Sequence, residues 1–293
     1  MFAIIGIVVV FGAIVAGYLM EHGKLLVLMQ PAELVIIFGA AVGTVLIGNP
    51  LTVVIKMMKG IGGVFGSNRF TKAFYLENLK MLSEVFTYAR KSGMAKLESD
   101  VEDPAKSALF SKYKTFIKNH HAVHFVCDTL RMSISGGVGH FDLDQMMEQD
   151  MEVHHREVST PVTALNTMAD SLPGLGIVAA VLGVVITMGA LGGPPEEIGH
   201  KVAAALVGTF LGILLCYGLF GPLAAAMSKI NDAEAEYYTV LRVALISFIK
   251  GFPPILAVEV ARRSIPSECR PTFTEMEKNC KSGAAAAPPA AAA

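Results

Sequence analysis

Four long stretches of this chain carry no charged residue, and they constrain the fold more than any other feature. Residues 2–20, 34–55, 171–195 and 202–228 contain no Asp, Glu, Lys or Arg. A hydrocarbon core of about 30 Å needs about 20 helical residues at a rise of about 1.5 Å each. Each stretch meets that length, so four transmembrane helices are expected. The first stretch has no preceding Lys or Arg, is long for a signal-peptide core and shows no small-x-small cleavage pattern, so it is expected to remain as a span. The chain is 53% apolar and 17% charged, and no β-type alternation persists anywhere. The fold class expected is all-α: an integral membrane protein with four transmembrane helices and a helical cytoplasmic domain.

Basic residues set the expected orientation. Of the 24 Lys and Arg in the 293 residues, only Lys24 and Lys201 fall in the two short connections, 21–32 and 192–201. Lys56 and Lys59 follow the second span and Lys229 follows the fourth. By the positive-inside rule both termini and the long middle segment are cytoplasmic. The organisation expected is spans 1 and 2 with a short periplasmic loop over 1–49 and a cytoplasmic helical domain over 50–170. Spans 3 and 4 follow over 171–228, then a helical tail over 229–282 and a disordered Ala/Pro tail over 283–293. Within the middle domain, 71–92 has helical apolar spacing with Gly93 as its stop. Gly136-Gly137 reads as a break, and Pro161 as an interruption of 141–169. Pro222 is expected to kink the fourth span where it runs on into 228–250.

The spans are rich in small residues, which let helix backbones approach closely where lipid provides no hydrophobic drive to association. They lack a deep ionisable group. Glu33, beside Pro31, reads as a residue of the second span's first turn. The deep polar groups are hydroxyls, Thr44, Thr187 and Thr209, which can hydrogen-bond but carry no proton charge at physiological pH. Either the chain moves no protons, or a partner helix supplies the titrating group. His120 and His124 stand at i, i+4 and His154 and His155 are adjacent, but neither pair has a third ligand at a familiar spacing, so no metal is expected. The cysteines Cys127, Cys216, Cys269 and Cys280 show no paired motif. A net charge of −1 argues against nucleic-acid binding, and no nucleophile–base pair or phosphate-cradling loop points to an enzyme. No cofactor is expected.

Six ordered motifs carry a family resemblance: Gln30–Ile37, Arg90–Asp100, Asp170–Val181, Val207–Leu214, Gly221–Leu223 and Pro253–Pro271. With this topology they resemble the MotA family of flagellar stator subunits, over essentially the whole length apart from the Ala/Pro tail. The resemblance implies a homo-oligomer, a pentamer around a MotB dimer, in the bacterial inner membrane. MotB would supply the proton-binding aspartate, and the rotor protein FliG would be the second partner. It implies an ion path past Thr209, Ala180 and Thr187, conformational coupling at Pro173 and Pro222, and rotor contact through Arg90 and Glu98. Pro173 would stand at the cytoplasmic start of the third span. Sodium-driven relatives tend to carry threonine where this chain has Ala180, so the resemblance favours H+ over Na+. The alternative is a proton-driven energiser of envelope proteins similar to TolQ and ExbB.

Overall fold

The computed structural model describes residues 2–67, 69–189, 192 and 194–284. Among them all regular structure is helical. In chain order the helices are α1 (Phe2–Met20), α2 (Leu25–Leu28), α3 (Pro31–Gly48), α4 (Leu51–Val64) and α5 (Lys72–Ser92). A 3₁₀ turn (Met94–Leu97) leads to α6 (Glu98–Glu102), α7 (Lys114–Ile117), α8 (His120–Ser135) and α9 (His140–Met188). Then come α10 (Pro195–Leu215), a π-helical turn (Cys216–Phe220), α11 (Gly221–Ile249), α12 (Pro254–Arg263) and α13 (Phe273–Ala284). Four helical segments among the described residues are long and apolar enough to cross a membrane: Phe2–Met20, Leu25–Gly48, and parts of His140–Met188 and Pro195–Ile249. The expected Ala/Pro tail lies outside the described residues from residue 285 onward, and α13 runs through 283 and 284.

The chain divides into two units, residues 1–67 with 157–231, and 68–156 with 232–293. The first holds the apolar spans. Its buried cluster joins Ile37, Ala41 and Val45 of α3 to Leu165, Met168, Leu172 and Ala179 of α9 and to Leu223 and Met227 of α11. The buried positions of α3 are Glu33, Ile37, Ala41 and Val45, one stripe with a spacing of four along a helix that is apolar all round. Helix α1 buries none of its residues.

The second unit has the core of a water-soluble helical domain. Tyr75, Leu79, Leu82, Val85 and Phe86 of α5 pack with Phe125, Val126 and Leu130 of α8 and with Tyr237, Leu241 and Leu245 of α11. Phe86 stacks on Phe248 with ring centroids 4.3 Å apart. Two polar side chains pair within this core: the Tyr237 hydroxyl donates to Asn78 Oδ1 at 2.7 Å, and Asn78 Nδ2 donates to the Phe74 carbonyl at 2.8 Å. Arg242 of α11 holds Asp144 of α9 at 2.6 Å and Glu148 at 3.2 Å.

The stops expected at glycine are found where glycine alone is comfortable. Gly93 ends α5 with φ 88°, and Gly136 and Gly137 end α8 with φ 70° and 86°, in the left-handed region that a side chain disfavours. One proline expectation is corrected. Pro161 does not interrupt its helix, because it lies inside α9, as Pro173 does. A proline removes one backbone donor, and a 49-residue helix with donors on either side can absorb that loss. At Pro222 the distortion takes a definite form: the π-helical turn Cys216–Phe220 directly precedes it.

Candidate ion path and coupling elements

The site is built where α9 and α10 meet backbone to backbone. A methyl group on Gly176 would stand 2.8 Å from the Gly208 carbonyl oxygen and 3.1 Å from Gly212 Cα. One on Gly183 would stand 2.8 Å from Ala205 Cβ. Such contacts explain why the sequence puts small residues on these faces: at membrane depth, dispersion between closely approaching backbones is the available adhesive. Ala180 lies in this seam, since a methyl on Gly208 would be 3.3 Å from the Ala180 nitrogen and 3.3 Å from Ala179 Cβ. Thr209 follows Gly208 and is half-buried.

The hydroxyls divide into two kinds. Thr187 donates to the Gly183 carbonyl at 2.8 Å, and Thr44 of α3 donates to the Ala41 carbonyl at 2.8 Å. Their protons are committed to their own helices, so they can offer only lone pairs to a passing ion or water. Thr209 makes no hydrogen bond among the described residues, so its hydroxyl is available both to donate and to accept.

A residue read from sequence as a first-turn group proves to be part of the same seam. Glu33 does stand in the first turn of α3, two residues after Pro31 at N1. Its side chain is buried at 7% exposure, not turned outward. A methyl on Gly208 would stand 2.6 Å from Glu33 Oε2, and one on Gly183 would stand 3.5 Å from Oε1. Oε2 is buried without a hydrogen-bond partner among the described residues. The carboxyl therefore sits beside the Gly208–Ala180 contact. Its signal in the sequence was the spacing of four that links it to Ile37, Ala41 and Val45.

The two prolines stand beside close helix contacts. A methyl on Gly212 would be 2.5 Å from the carbonyl oxygen of Leu172, the residue immediately before Pro173. Pro222 lies in the first turn of α11, just past the π turn, and is exposed. Within that turn, a methyl on Gly218 would meet Val10 of α1 at 3.1 Å. A proline at 222 leaves the Gly218 carbonyl without its helical donor, and a π turn is one way to absorb that.

Arg90 and Glu98 lie in the other unit. Arg90 is in the last turn of α5 and Glu98 opens α6, on either side of Gly93. Each charge therefore stands at the helix end that favours its sign. Both are exposed, and neither forms an ion pair among the described residues. The histidines are brought together differently from the spacing noted in the sequence: His121 of α8 stacks on His154 of α9 with centroids 3.8 Å apart. No group of three or more His, Cys, Asp or Glu among the described residues is arranged to hold a metal.

Comparison with known proteins agrees with this architecture. Residues 4–93 match the family model described as Motility protein A N-terminal, and residues 117–239 match the MotA/TolQ/ExbB proton channel family. The chain is 38% identical over 281 residues to Motility protein A of Escherichia coli K12, covering 96% of this chain and 95% of that protein. It superposes on a chain of the C. jejuni MotAB structure with a TM-score of 0.73 at 19% identity, covering 91% of this chain and 96% of that one. For the flagellar MotAB stator complex of Bacillus subtilis the TM-score is 0.71 at 24% identity, with 90% and 94% covered. With four apolar helical segments and near whole-length kinship to a motility protein, the chain is a multi-pass membrane protein that belongs to the motility protein A family.

Proposed function

We propose that this chain is the stator subunit of a bacterial flagellar motor, forming with MotB a proton channel that converts proton flow into torque. The observation that carries this reading is the seam of Gly208, Ala180 and Thr209, in a chain of the motility protein A family. There, a half-buried hydroxyl with no hydrogen-bond partner among the described residues stands where two membrane helices touch. A single chain leaves large apolar side chains of α1 and of the apolar part of α9 exposed, among them Val8, Ile177, Val181 and Ile186. Such surfaces require lipid or neighbouring helices; the assembly proposed is a homo-oligomer, a pentamer around a MotB dimer. The setting is the bacterial inner membrane, with both termini cytoplasmic.

In this reading protons come from the periplasmic side, bind an aspartate contributed by MotB close to Thr209, and leave to the cytoplasm. Thr209 donates to that carboxylate when it is ionised and accepts from it when it is protonated. Thr187 offers only a lone pair. Glu33 adds a second carboxyl beside the seam. Alanine at position 180 withholds an oxygen that a sodium ion would need in exchange for hydration water, which favours H+. Each proton passage shifts the backbone near Pro173 and Pro222, where missing hydrogen bonds make bending less costly. Arg90 and Glu98 then meet opposite charges on FliG. Exposed ion pairs contribute about 0–1 kcal/mol, weak enough to break at every step, while one charge crossing 100 mV releases about 2.3 kcal/mol.

The envelope-energiser alternative shares the second matched region but does not account for the motility-specific match at the N-terminus. Torque on tethered cells expressing this chain with its MotB partner tests the proposal when proton and sodium gradients are varied separately. Rotation is expected to follow the proton gradient alone. Dependence on sodium would overturn the ion, and no rotation from an assembled complex would overturn the motor.

A further inference from the structure

Helix α4 has three distinct faces, and only one of them is explained by the fold. Met57 and Val64 are buried in the same cluster as Leu172 and Leu223, with Val53, Val54 and Ile61 packed beside them. Gly60 seats the helix on Met227, because a methyl on Gly60 would collide with the end of that side chain. A second face repeats at i, i+4, i+7, i+11 and i+14: Leu51, Ile55, Met58, Gly62 and Phe65. Its four large side chains are exposed, Leu51 at 66% and Met58 at 61%. The third face carries Thr52, Lys56 and Lys59, all exposed. Neither lysine forms an ion pair among the described residues.

Two observations fix what this surface meets. The helix starts three residues after Gly48, the last residue of α3, with only Asn49 and Pro50 between them. Its middle also packs on Met227, in the last uncharged residues of the fourth apolar run, and Lys229 follows two residues later. So α4 stands at the depth where the chain passes from hydrocarbon to charge. A helix there with an apolar stripe and lysines along one edge is suited to lie in the interface, with apolar side chains among acyl chains and ammonium groups among headgroups.

We infer that α4 is an interfacial anchor whose Leu51–Ile55–Met58–Phe65 face enters the bilayer and whose Lys56 and Lys59 bind anionic phospholipid headgroups. The attraction expected near an anionic surface is about fivefold in local lipid enrichment for each lysine. The anchor does not depend on torque generation, so it stands or falls separately from the proposed function.

The chain contains no tryptophan, so Ile55→Trp places a single fluorophore on the stripe. The full-length variant is reconstituted in nanodiscs of phosphatidylcholine and phosphatidylglycerol, with bromine on the acyl chains of one lipid or the other. Both brominated lipids are expected to quench, and phosphatidylglycerol more strongly per mole, by about fivefold or more. Adding Lys56→Gln and Lys59→Gln should remove that preference and leave quenching by phosphatidylcholine. Lys56→Arg with Lys59→Arg should keep the preference, which separates lost charge from a misfolded helix. Absence of quenching by either lipid would mean that protein, such as a second copy of this chain, covers the face, and would overturn the anchor. Equal quenching, or a preference that survives both glutamine substitutions, would overturn the assignment to Lys56 and Lys59.

Discussion

At Gly212 the tenth helix has no room for any side chain, and both obstacles are backbone. The Leu172 carbonyl oxygen would be 2.5 Å from a new methyl and Gly176 Cα 3.0 Å, so no rotamer change can relieve the clash. Overpacking costs about 1–3 kcal/mol, against a helix-propensity gain of about 1 kcal/mol for replacing glycine by alanine. Gly212→Ala is therefore expected to reduce swimming sharply. Gly199→Ala, whose methyl would meet nothing within 4 Å, should swim like the parent. Swim-ring diameter with membrane protein levels as control decides this. Glu33 makes a sharper case, since Glu33→Gln keeps the shape and removes the ionisable group. Proton flux into vesicles containing the complex should fall several-fold with unchanged assembly. Flux equal to the parent would show that the buried carboxyl only fills space.

Helices α11 and α13 make different demands. The π turn before Pro222 holds one extra residue per turn, so converting it to an α turn would rotate α11 by about 100° relative to α10. Pro222→Ala restores a donor toward the Gly218 carbonyl and removes a penalty of about 3 kcal/mol. It is expected to raise the Tm of the complex while abolishing rotation, a pairing that a merely structural kink would not give. Helix α13 is tied to α5 by Lys72 and Glu275 at 2.8 Å. The Lys72 hydrogen bond and then the Thr272 backbone N–H and hydroxyl pull the Glu275 carboxyl down to about 2. A depressed carboxyl contributes fully above its ordinary value of 4.5 and loses its contribution as the pH falls through about 2. Hydrogen exchange in 273–281, corrected for intrinsic rates, should thus show no loss of this tie between pH 8 and pH 5. Glu275→Gln should raise it at both.

For the whole molecule, the test concerns how a membrane event reaches Arg90 and Glu98. If each makes one exposed contact of about 0–1 kcal/mol with the rotor, neutralising either alone should leave swimming reduced but present. Reversing both, Arg90→Glu with Glu98→Lys, turns attraction into repulsion and should stop rotation in cells whose stator complexes still assemble. Bead-assay torque checks this, and unchanged torque would remove both residues from the rotor contact.

Four membrane-spanning segments, an all-helical chain and the stops at Gly93 and Gly136 were legible in the sequence because each depends on local facts. Length without charge, turn chemistry and apolar spacing all act within a few residues. The small residues of the third and fourth runs also announced close helix contact. The partner across each contact was not legible, because a span that is apolar all round gives no hydrophobic period from which to read its inner face. That is why Glu33 read as a first-turn residue, although the folded chain buries it against Gly208. Pro161 read as a break because proline's local cost is visible and the continuity of a long packed helix is not. By itself the sequence determined which segments leave water and how they pair off along the chain. Only the tertiary structure decided which atoms of those segments touch, since side-chain contacts between distant residues depend on helix rotation, which hydrophobicity at membrane depth does not encode.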